Sequence, residues 1–352
     1  MVARGSGGLS RHRPLVRSDR RLPVRPPDPA ALAADDRHAL TCGTGPCALD
    51  MAGHRRRATT GRDPPATQLV TMIGSPSILV MADPLAHPIS DLPAPRQPVR
   101  ARWVSVPVPA QHGVPATAMR GWWTVPAAQE PRGAVLVLPE VFGVNRWVRS
   151  VADRLAGEGY AALAINTFSR TAPDLDVGYD AEGLAAGREH RDLVTAEQLL
   201  ADAAAAAAWL RQQHGELPLG CVGFCFGGHL ALIAATLPEI AATCDFYGAR
   251  VSSFRPGGGP PSLELVPRIP GRLWCFCGDE DPLIPAQERA AIEAALSAAN
   301  GGTPASGPDG RHRLITARGA GHGYLCEARA DYRPEAARDG WTEMLELFGS
   351  CL

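Results

Sequence analysis

The chain has 352 residues, of which 45% are hydrophobic, and its 35 basic and 36 acidic residues give a formal net charge of −1. All of the basic residues are arginine. Residues 1–80 carry 12 Arg against 6 Asp, whereas residues 81–352 carry 23 Arg against 30 acidic residues. Because phosphate contacts need clustered cations, the acidic second part argues against a nucleic-acid-binding protein.

The nine cysteines form an odd set without paired C-x-x-C units. Cys221, Cys244 and Cys275 lie inside apolar runs, where free thiols behave as small hydrophobic side chains. No apolar stretch reaches the roughly 18–20 residues that span a bilayer, and no secretory signal is visible. We therefore expect a cytoplasmic protein without a membrane association. Its histidines and cysteines lack metal-ligand spacing, so no metal site is predicted.

Residues 1–95 form a leader that is rich in Pro, Arg, Ala and Gly, with no sustained helical or strand periodicity. Such a segment buries too little apolar surface to offset the entropy of ordering, so we predict that it is disordered. A misassigned start codon is an alternative account of the leader, with Met72 or Met81 as the true beginning.

The rest of the chain, residues 100–352, predicts one domain in which strands and helices alternate. Residues 102–108 and 116–123 indicate a β-hairpin. Apolar runs short enough for buried strands follow at residues 134–138, 160–165, 219–224, 242–247, 273–277 and 314–317. Helices are predicted at residues 146–156, 195–213, after 227–228, and at 285–299 and 334–348. This alternation is typical of an α/β fold with a mostly parallel sheet flanked by helices. The Pro- and Gly-rich residues 255–267 are predicted to be a surface insertion.

A candidate nucleophile lies where the predicted strand at 219–224 meets a helix. Residues 223–228 read Gly-Phe-Cys-Phe-Gly-Gly, which places Cys225 in a Gly-x-Cys-x-Gly turn. A nucleophile elbow needs small residues two before and two after the reactive one, because its tight turn brings their backbones together. The helix N-terminus also favours a thiolate. The alternative is a glycine-rich turn with a buried, inert cysteine.

A candidate acid and a candidate base follow in the order that α/β-hydrolase triads use. Asp281 and His322 lie in loops just after predicted strands, and the order is nucleophile, acid, histidine. The imidazole would take the thiol proton, and the carboxylate would orient the imidazole. Alternatives stay open for both positions. Asp281 could cap the next helix, with Asp279 and Glu280 as competitors, and His322 competes with His229 and His312.

The loop after the first central strand, residues 138–145, reads Leu-Pro-Glu-Val-Phe-Gly-Val-Asn. The matching loop of this architecture supplies one oxyanion-hole N–H, and the residue after the nucleophile supplies the other. The predicted donors are therefore Val141 and Phe226. The carboxylate of Glu140, beside these donors, would repel an oxyanion, so we expect Glu140 to have a separate role in the site. Alternatively, Glu140 caps the helix that starts near Asn145.

Four motifs together resemble the dienelactone hydrolase family: residues 139–145, the elbow 223–228, Gly-Asp-Glu-Asp-Pro at 278–282 and Ala-Gly-His at 320–322. The resemblance covers about residues 100–352. It implies an α/β-hydrolase fold and a triad of Cys225, His322 and Asp281. It also implies that Glu140 holds the resting thiol and helps to deprotonate it.

The same resemblance bears on the substrate. In that family arginines meet the substrate carboxylate, and Arg170 is the matching position for one of them. The second arginine would stand four residues after the histidine, where this chain has Cys326. Arg329 or Arg333 could approach from the same loop.

We therefore expect a cofactor-free, monomeric hydrolase that cleaves a small ester or enol lactone through a Cys225 thioester. The first alternative is a carboxylesterase or thioesterase on neutral acyl substrates, with Arg170 solvated or ion-paired. The second is a non-catalytic binding protein of the α/β-hydrolase fold. Such a protein would be expected to lose a triad member, and all three are present here.

Overall fold

The computed structural model describes residues 92–352. The disorder predicted for residues 1–95 and the alternative starts therefore lie almost wholly outside the described residues. Within residues 92–95 there is no helix or strand, but Leu92 packs against the core and Pro95 lies against Gly157. Residues 92–95 therefore lie against the domain that follows them, and the boundary predicted for the leader stays a prediction.

Eight strands form one sheet in the order β1-β2-β4-β3-β5-β6-β7-β8. In chain order they are β1 (Val99–Val108), β2 (Thr117–Pro126), β3 (Gly133–Leu138), β4 (Tyr160–Ile165), β5 (Leu219–Phe224), β6 (Ile240–Phe246), β7 (Arg272–Gly278) and β8 (Arg313–Ala317). The predicted hairpin is β1 with β2, and β2 also pairs antiparallel with β4. All other neighbours pair in parallel.

The central strands are buried on both faces, which explains their sequences. Every residue of β3, β4 and β5 is buried. A strand covered on both sides reads as a continuous apolar run rather than as an alternation of apolar and polar residues. The mostly parallel sheet predicted from these runs is confirmed.

In the described residues, six α-helices flank the sheet: α1 (Arg146–Gly157), α2 (Ala181–Arg191), α3 (Ala196–His214), α4 (Phe226–Ala234), α5 (Ala286–Ala299) and α6 (Pro334–Cys351). Asn145 caps the N-terminus of helix α1, and its side chain accepts a hydrogen bond from the Val148 N–H. Helix α3 begins with a capping box of Thr195 and Gln198. Such caps satisfy backbone donors that the first helical turn leaves without partners.

Two parts of the chain differ from the sequence prediction. Helix α2 was not predicted, because only two of its residues, Gly183 and Gly187, are buried and it presents no apolar stripe. The prediction that residues 255–267 form a surface insertion is wrong for the second half of that segment. Ser262–Arg268 forms a 3₁₀ helix in which Leu263, Leu265 and Val266 are buried. Because prolines and glycines surround these apolar residues in the sequence, the segment was predicted to be an exposed loop.

The parallel arrangement brings the loops after β3, β5, β7 and β8 to one edge of the sheet. These loops carry Glu140, Cys225, Asp281 and His322, respectively. Ligand sites of open α/β sheets lie at this edge, beyond the carboxyl ends of the strands. Among residues 92–352, no single helix is long and apolar enough to cross a membrane; α2 and α3 meet that test only as a pair, with a 97° bend between them.

Candidate active site

Cys225 lies in a sharp turn between β5 and α4. Its backbone has φ 55° and ψ −116°, a conformation that residues with a side chain rarely adopt. A Cβ on Gly223 would overlap the carbonyl oxygen of Gly227, and a Cβ on Gly228 would overlap the Asp245 carboxylate. The glycines around the cysteine are therefore a steric requirement of this turn. The cysteine itself stays partly exposed.

Cys225, His322 and Asp281 form a continuous hydrogen-bonded chain, here called the Cys-His-Asp chain. The Sγ atom of Cys225 lies 3.0 Å from Nε2 of His322. On the other side of the ring, Nδ1 lies 2.8 Å from Oδ2 of Asp281. The three residues come from loops after three different strands, so only the folded sheet brings them together.

The environment of His322 favours its protonated form. Burial by itself lowers the pKa of this histidine, but the negative charge at Cys225 and the hydrogen bond to Asp281 outweigh burial and raise the pKa to about 10. An imidazole that holds a proton this well can accept one from the thiol beside it. Cys225 and Asp281 therefore together favour the protonated imidazole of His322.

Asp279 and Glu280, the alternatives to Asp281 as the acid of the triad, do not contact His322. The second oxygen of Asp281, Oδ1, accepts a hydrogen bond from the Leu283 N–H at 2.8 Å, which fixes the carboxylate below the histidine. Asp279 instead accepts a hydrogen bond from the Gly319 N–H at 2.7 Å. Glu280 is exposed. Of the three neighbouring acids, Asp281 is the one that contacts His322.

The competing histidines have structural partners. His229 is buried, with its ring nitrogens 2.9 Å from the Ala249 carbonyl oxygen and 2.7 Å from Ser262 Oγ. His312 accepts a hydrogen bond from the Leu273 N–H at 3.2 Å. Burial lowers the pKa of each of them to about 4. Both therefore remain neutral at physiological pH, away from the Cys-His-Asp chain.

The backbone N–H groups predicted for the oxyanion hole lie on two segments in close contact. Gly227 of the elbow fits so tightly against the loop after β3 that a Cβ there would overlap the carbonyl oxygens of Leu138 and Pro139. Phe226 opens helix α4, where N–H groups have no partner within the helix. Among the described residues, neither the Val141 nor the Phe226 N–H donates to a protein acceptor. The oxyanion-hole role of these two N–H groups stays a prediction.

Glu140 is fully buried and pairs with Arg329, whose Nη1 lies 3.0 Å from Glu140 Oε1. This differs from the resting arrangement that the resemblance implies, because the thiol is hydrogen-bonded to His322 rather than to Glu140. Burial favours the ion pair, since an unpaired carboxylate would be costly here. The helix-capping alternative for Glu140 is also not seen, because Asn145 caps α1.

Arg170 forms an ion pair with Asp202 of α3, with Nη1 2.8 Å from Oδ2. Asp202 is almost completely buried, at 1% exposed. This is the ion-paired role that the sequence left open for Arg170. Binding of a substrate carboxylate by Arg170 stays a prediction.

No sequence pattern marks Tyr247, which packs against His322 with its ring centre 5.3 Å from the imidazole centre. Tyr247 has φ 44° and donates its N–H to the Phe276 carbonyl oxygen at 2.8 Å. In the sequence it reads as the last residue of an apolar strand, but the backbone leaves the strand at this point. Only the structure shows that its side chain forms part of the wall behind the histidine.

The eight-stranded, mostly parallel sheet and the Cys-His-Asp chain at its carboxyl edge define an α/β hydrolase. The dienelactone hydrolase family matches residues 119–352. The chain belongs to this family, and it is a lactone or ester hydrolase. The resemblance seen in the sequence is therefore confirmed.

Individual relatives agree with this assignment. A Synechocystis sp. protein named as a carboxymethylenebutenolidase is 36% identical over 230 residues, which cover 65% of this chain and 90% of that protein. A Bradyrhizobium protein named as a 2-oxo-3-(5-oxofuran-2-ylidene)propanoate lactonase is 32% identical, covering 60% of this chain and 81% of that protein. The crystal structure of a Klebsiella pneumoniae protein described as a dienelactone hydrolase superimposes with a TM-score of 0.61 at 26% identity, covering 71% of this chain and 99% of that one.

Proposed function

We propose that the protein hydrolyses an ester or enol lactone through a thioester on Cys225. The observation that carries this proposal is the unbroken contact from Cys225 Sγ through the His322 ring to Asp281, at 3.0 and 2.8 Å. A cysteine, a histidine and a carboxylate in this sequence of contacts provide a nucleophile, a base and a group that orients the base.

In the first half of the reaction, His322 takes the thiol proton and the Cys225 sulfur attacks the carbonyl carbon. A C–S bond forms while the carbonyl oxygen becomes an oxyanion, which accepts hydrogen bonds from the N–H groups of Val141 and Phe226. The C–O bond to the leaving group then breaks. The leaving oxygen takes the proton from His322, and the acyl group remains on sulfur.

In the second half, His322 removes a proton from water, and the resulting hydroxide attacks the thioester carbon. The same two N–H groups hold the second oxyanion. The C–S bond breaks, the acid leaves, and the His322 proton returns to sulfur. Throughout both halves, Asp281 keeps the imidazole in the orientation that the 2.8 Å contact shows.

Glu140 contributes through Arg329. Its carboxylate holds the guanidinium in the loop that follows His322, and a Cβ on Gly323 would lie 2.7 Å from the Arg329 Cζ. The ion pair thus connects the loop of Val141 with the loop of His322. Direct action of Glu140 on the thiol would require that it leave this partner.

The test is hydrolysis of p-nitrophenyl acetate by the Cys225→Ala variant, with Cys351→Ala as a matched control. Cys351 is also partly exposed, but it lies at the end of α6. We expect a loss of about 10³-fold or more for Cys225→Ala and no loss for the control. Intact mass spectrometry of the acid-quenched enzyme should show the acetyl adduct on Cys225. Full activity of Cys225→Ala would overturn the proposal.

A further inference from the structure

A further buried carboxylate, Asp245, lies against the nucleophile elbow and takes no part in the Cys-His-Asp chain. Asp245 is the second-to-last residue of β6 and is 2% exposed. A Cβ on Gly228, in the first turn of α4, would overlap its Oδ1 atom. The carboxylate therefore packs directly on the turn that carries Cys225.

The hydrogen-bond partners recorded for Asp245 among the described residues are both uncharged. Oδ1 accepts a hydrogen bond from the Gly248 N–H at 2.9 Å, and the Cys275 Sγ lies 3.8 Å from Oδ2. Burial dominates in these surroundings and raises the pKa of Asp245 to about 7. A buried carboxylate without a cationic partner is costly to the fold. Proteins keep such local exceptions mainly at functional sites.

The hydrogen bond from Gly248 to Asp245 closes a turn of residues 245–248 at the end of β6. Inside this turn, Tyr247 has φ 44°, in the left-handed region that a residue with a side chain seldom adopts. A Cβ on Gly248 would overlap Asp245 Oδ1, so the carboxylate fills the space inside the turn. Asp245 thus holds Tyr247 in a backbone conformation that the chain does not otherwise favour.

The same turn contacts both the nucleophile and the base. The Cys225 N–H donates to the Phe246 carbonyl oxygen at 2.9 Å, which ties the cysteine backbone to the turn. The ring of Tyr247 is completely buried and lies 5.3 Å, centre to centre, from the imidazole of His322. A shift of the turn would therefore disturb both ends of the 3.0 Å contact between Sγ and Nε2.

We propose that Asp245 is a positioning residue, which holds the 245–248 turn and thereby keeps Cys225 and His322 at reacting distance. The role requires the acceptor oxygen rather than the charge, because the partner of Oδ1 is a backbone N–H. This inference rests on the thioester function proposed above. It adds a residue whose own hydrogen bonds go to neither Cys225 nor His322.

The test compares two substitutions of Asp245. Asp245→Asn keeps an acceptor oxygen for the Gly248 N–H, whereas Asp245→Val removes it and keeps a side chain that suits a strand. We expect Asp245→Val to lower kcat for p-nitrophenyl acetate by about 10- to 100-fold, because small displacements of reacting groups have effects of this size. KM should change by less than about 2-fold, and Asp245→Asn should keep kcat within about 3-fold of the wild-type value.

Two results would overturn the proposal: wild-type kcat in Asp245→Val, or an equal loss of kcat in both variants. Asp245→Ala, which also lacks the acceptor, replaces Asp245→Val if the valine variant does not fold. A loss in Asp245→Asn as large as the one expected for valine also contradicts the proposal, whichever apolar variant is used.

Thr243→Ala is the matched control for general destabilisation. Thr243 lies two residues earlier on the same face of β6, is 0% exposed, and its Oγ1 has no hydrogen-bond partner among the described residues. The substitution removes buried polar atoms from β6 but leaves the 245–248 turn intact. It should leave kcat unchanged, whatever its effect on the urea unfolding midpoint. A loss of kcat equal to that of Asp245→Val would show that destabilisation alone explains the effect.

A second measurement follows the thiol itself. The rate at which iodoacetamide abolishes activity depends on the thiolate form of Cys225 and is measured against pH. The profiles of wild type and Asp245→Asn should coincide. Inactivation of Asp245→Val at pH 7 should be slower by at least about 3-fold, because His322 no longer lies in place to take the thiol proton. Identical profiles for all three proteins would contradict the positioning role.

The failure of the proposed function gives a different result. Hydrolysis of p-nitrophenyl acetate that persists in Cys225→Ala would overturn the thioester mechanism. Hydrolysis that depends on Cys225 but keeps the wild-type kcat in Asp245→Val would overturn only the role of Asp245.

Discussion

Glu140 and Arg329 form a buried ion pair across 189 positions of sequence, with Nη1 3.0 Å from Oε1. The pair connects the loop that carries one oxyanion donor to the loop that follows His322. Glu140 is completely buried, and Arg329 is the one ion-pair partner recorded for it among the described residues. Oε2 of the same carboxylate has no hydrogen-bond partner among those residues.

Removal of Arg329 should therefore destabilise the protein strongly. We expect Arg329→Ala to lower the free energy of unfolding by about 3–5 kcal/mol, because it leaves a buried carboxylate unpaired. Urea unfolding followed by circular dichroism measures the change. Arg333→Ala is the matched control, since Arg333 lies four residues further along and is exposed. Equal unfolding midpoints for the two variants would show that Glu140 does not need its partner.

The elbow glycines should not tolerate a methyl group. In Gly227→Ala the new Cβ would overlap the carbonyl oxygens of Leu138 and Pro139. The backbone must then shift, at a cost of about 1–3 kcal/mol or more, and the Phe226 N–H moves with it. Ester hydrolysis and thermal stability should both fall. Gly349→Ala in α6 has nothing within 4 Å of its Cβ and should be neutral or slightly stabilising. Wild-type activity in Gly227→Ala would contradict the assigned geometry.

Stability should fall as the pH rises from about 6.5 to about 10. The pKa of His322 is raised in the folded protein to about 10, from an ordinary value of 6.5. The folded state therefore holds an extra proton in this window, and its stabilising effect is complete below pH 6.5 and lost as pH passes the folded pKa. Urea midpoints between pH 6.5 and 9.5 measure the slope.

The Cys225→Ala variant separates this slope from the titration of other groups. The charge at Cys225 is the largest of the effects that raise the His322 pKa, so its removal should flatten the dependence. The difference between the two proteins at each pH is the quantity to compare. Parallel curves for wild type and variant would mean that Cys225 does not raise the pKa of His322.

The two neighbouring aspartates should differ sharply in their effect on rate. Asp281→Asn should lower kcat for p-nitrophenyl acetate by about 10⁴-fold, because the histidine loses the carboxylate that sets its tautomer. Asp279→Asn changes only a hydrogen bond to the Gly319 backbone and should keep most of the activity. Steady-state kinetics of both variants decide the assignment, and a larger effect for Asp279→Asn would reverse it.

A chain that starts at Met81 should keep full ester hydrolysis. Every residue of the candidate site lies between Glu140 and Arg329, and the shortened chain keeps Leu92 and Pro95, which pack against the body. The measurement is kcat/KM for p-nitrophenyl acetate beside that of the full chain. A large loss would show that residues 1–80 belong to the enzyme.

Much of the fold could be predicted because a parallel sheet buries its central strands on both faces. Residues 160–165 and 219–224 stand out as uninterrupted apolar runs, and the observed strands have these same bounds. Helix α2 could not be found in this way, since it buries only Gly183 and Gly187. Its position depends on packing rather than on an apolar pattern: a Cβ on Gly187 would overlap the Val141 carbonyl oxygen.

By itself, the sequence determined the order of the strands and helices in the domain and the local chemistry of the elbow, because both depend on short-range pattern and on glycine sterics. It also named Cys225, Asp281 and His322 as candidates from their places after strands. The tertiary structure decided which groups pair. Charges that are far apart in sequence meet only when the sheet and its helices pack together, and burial then favours the pairing of Glu140 with Arg329 and of Asp202 with Arg170.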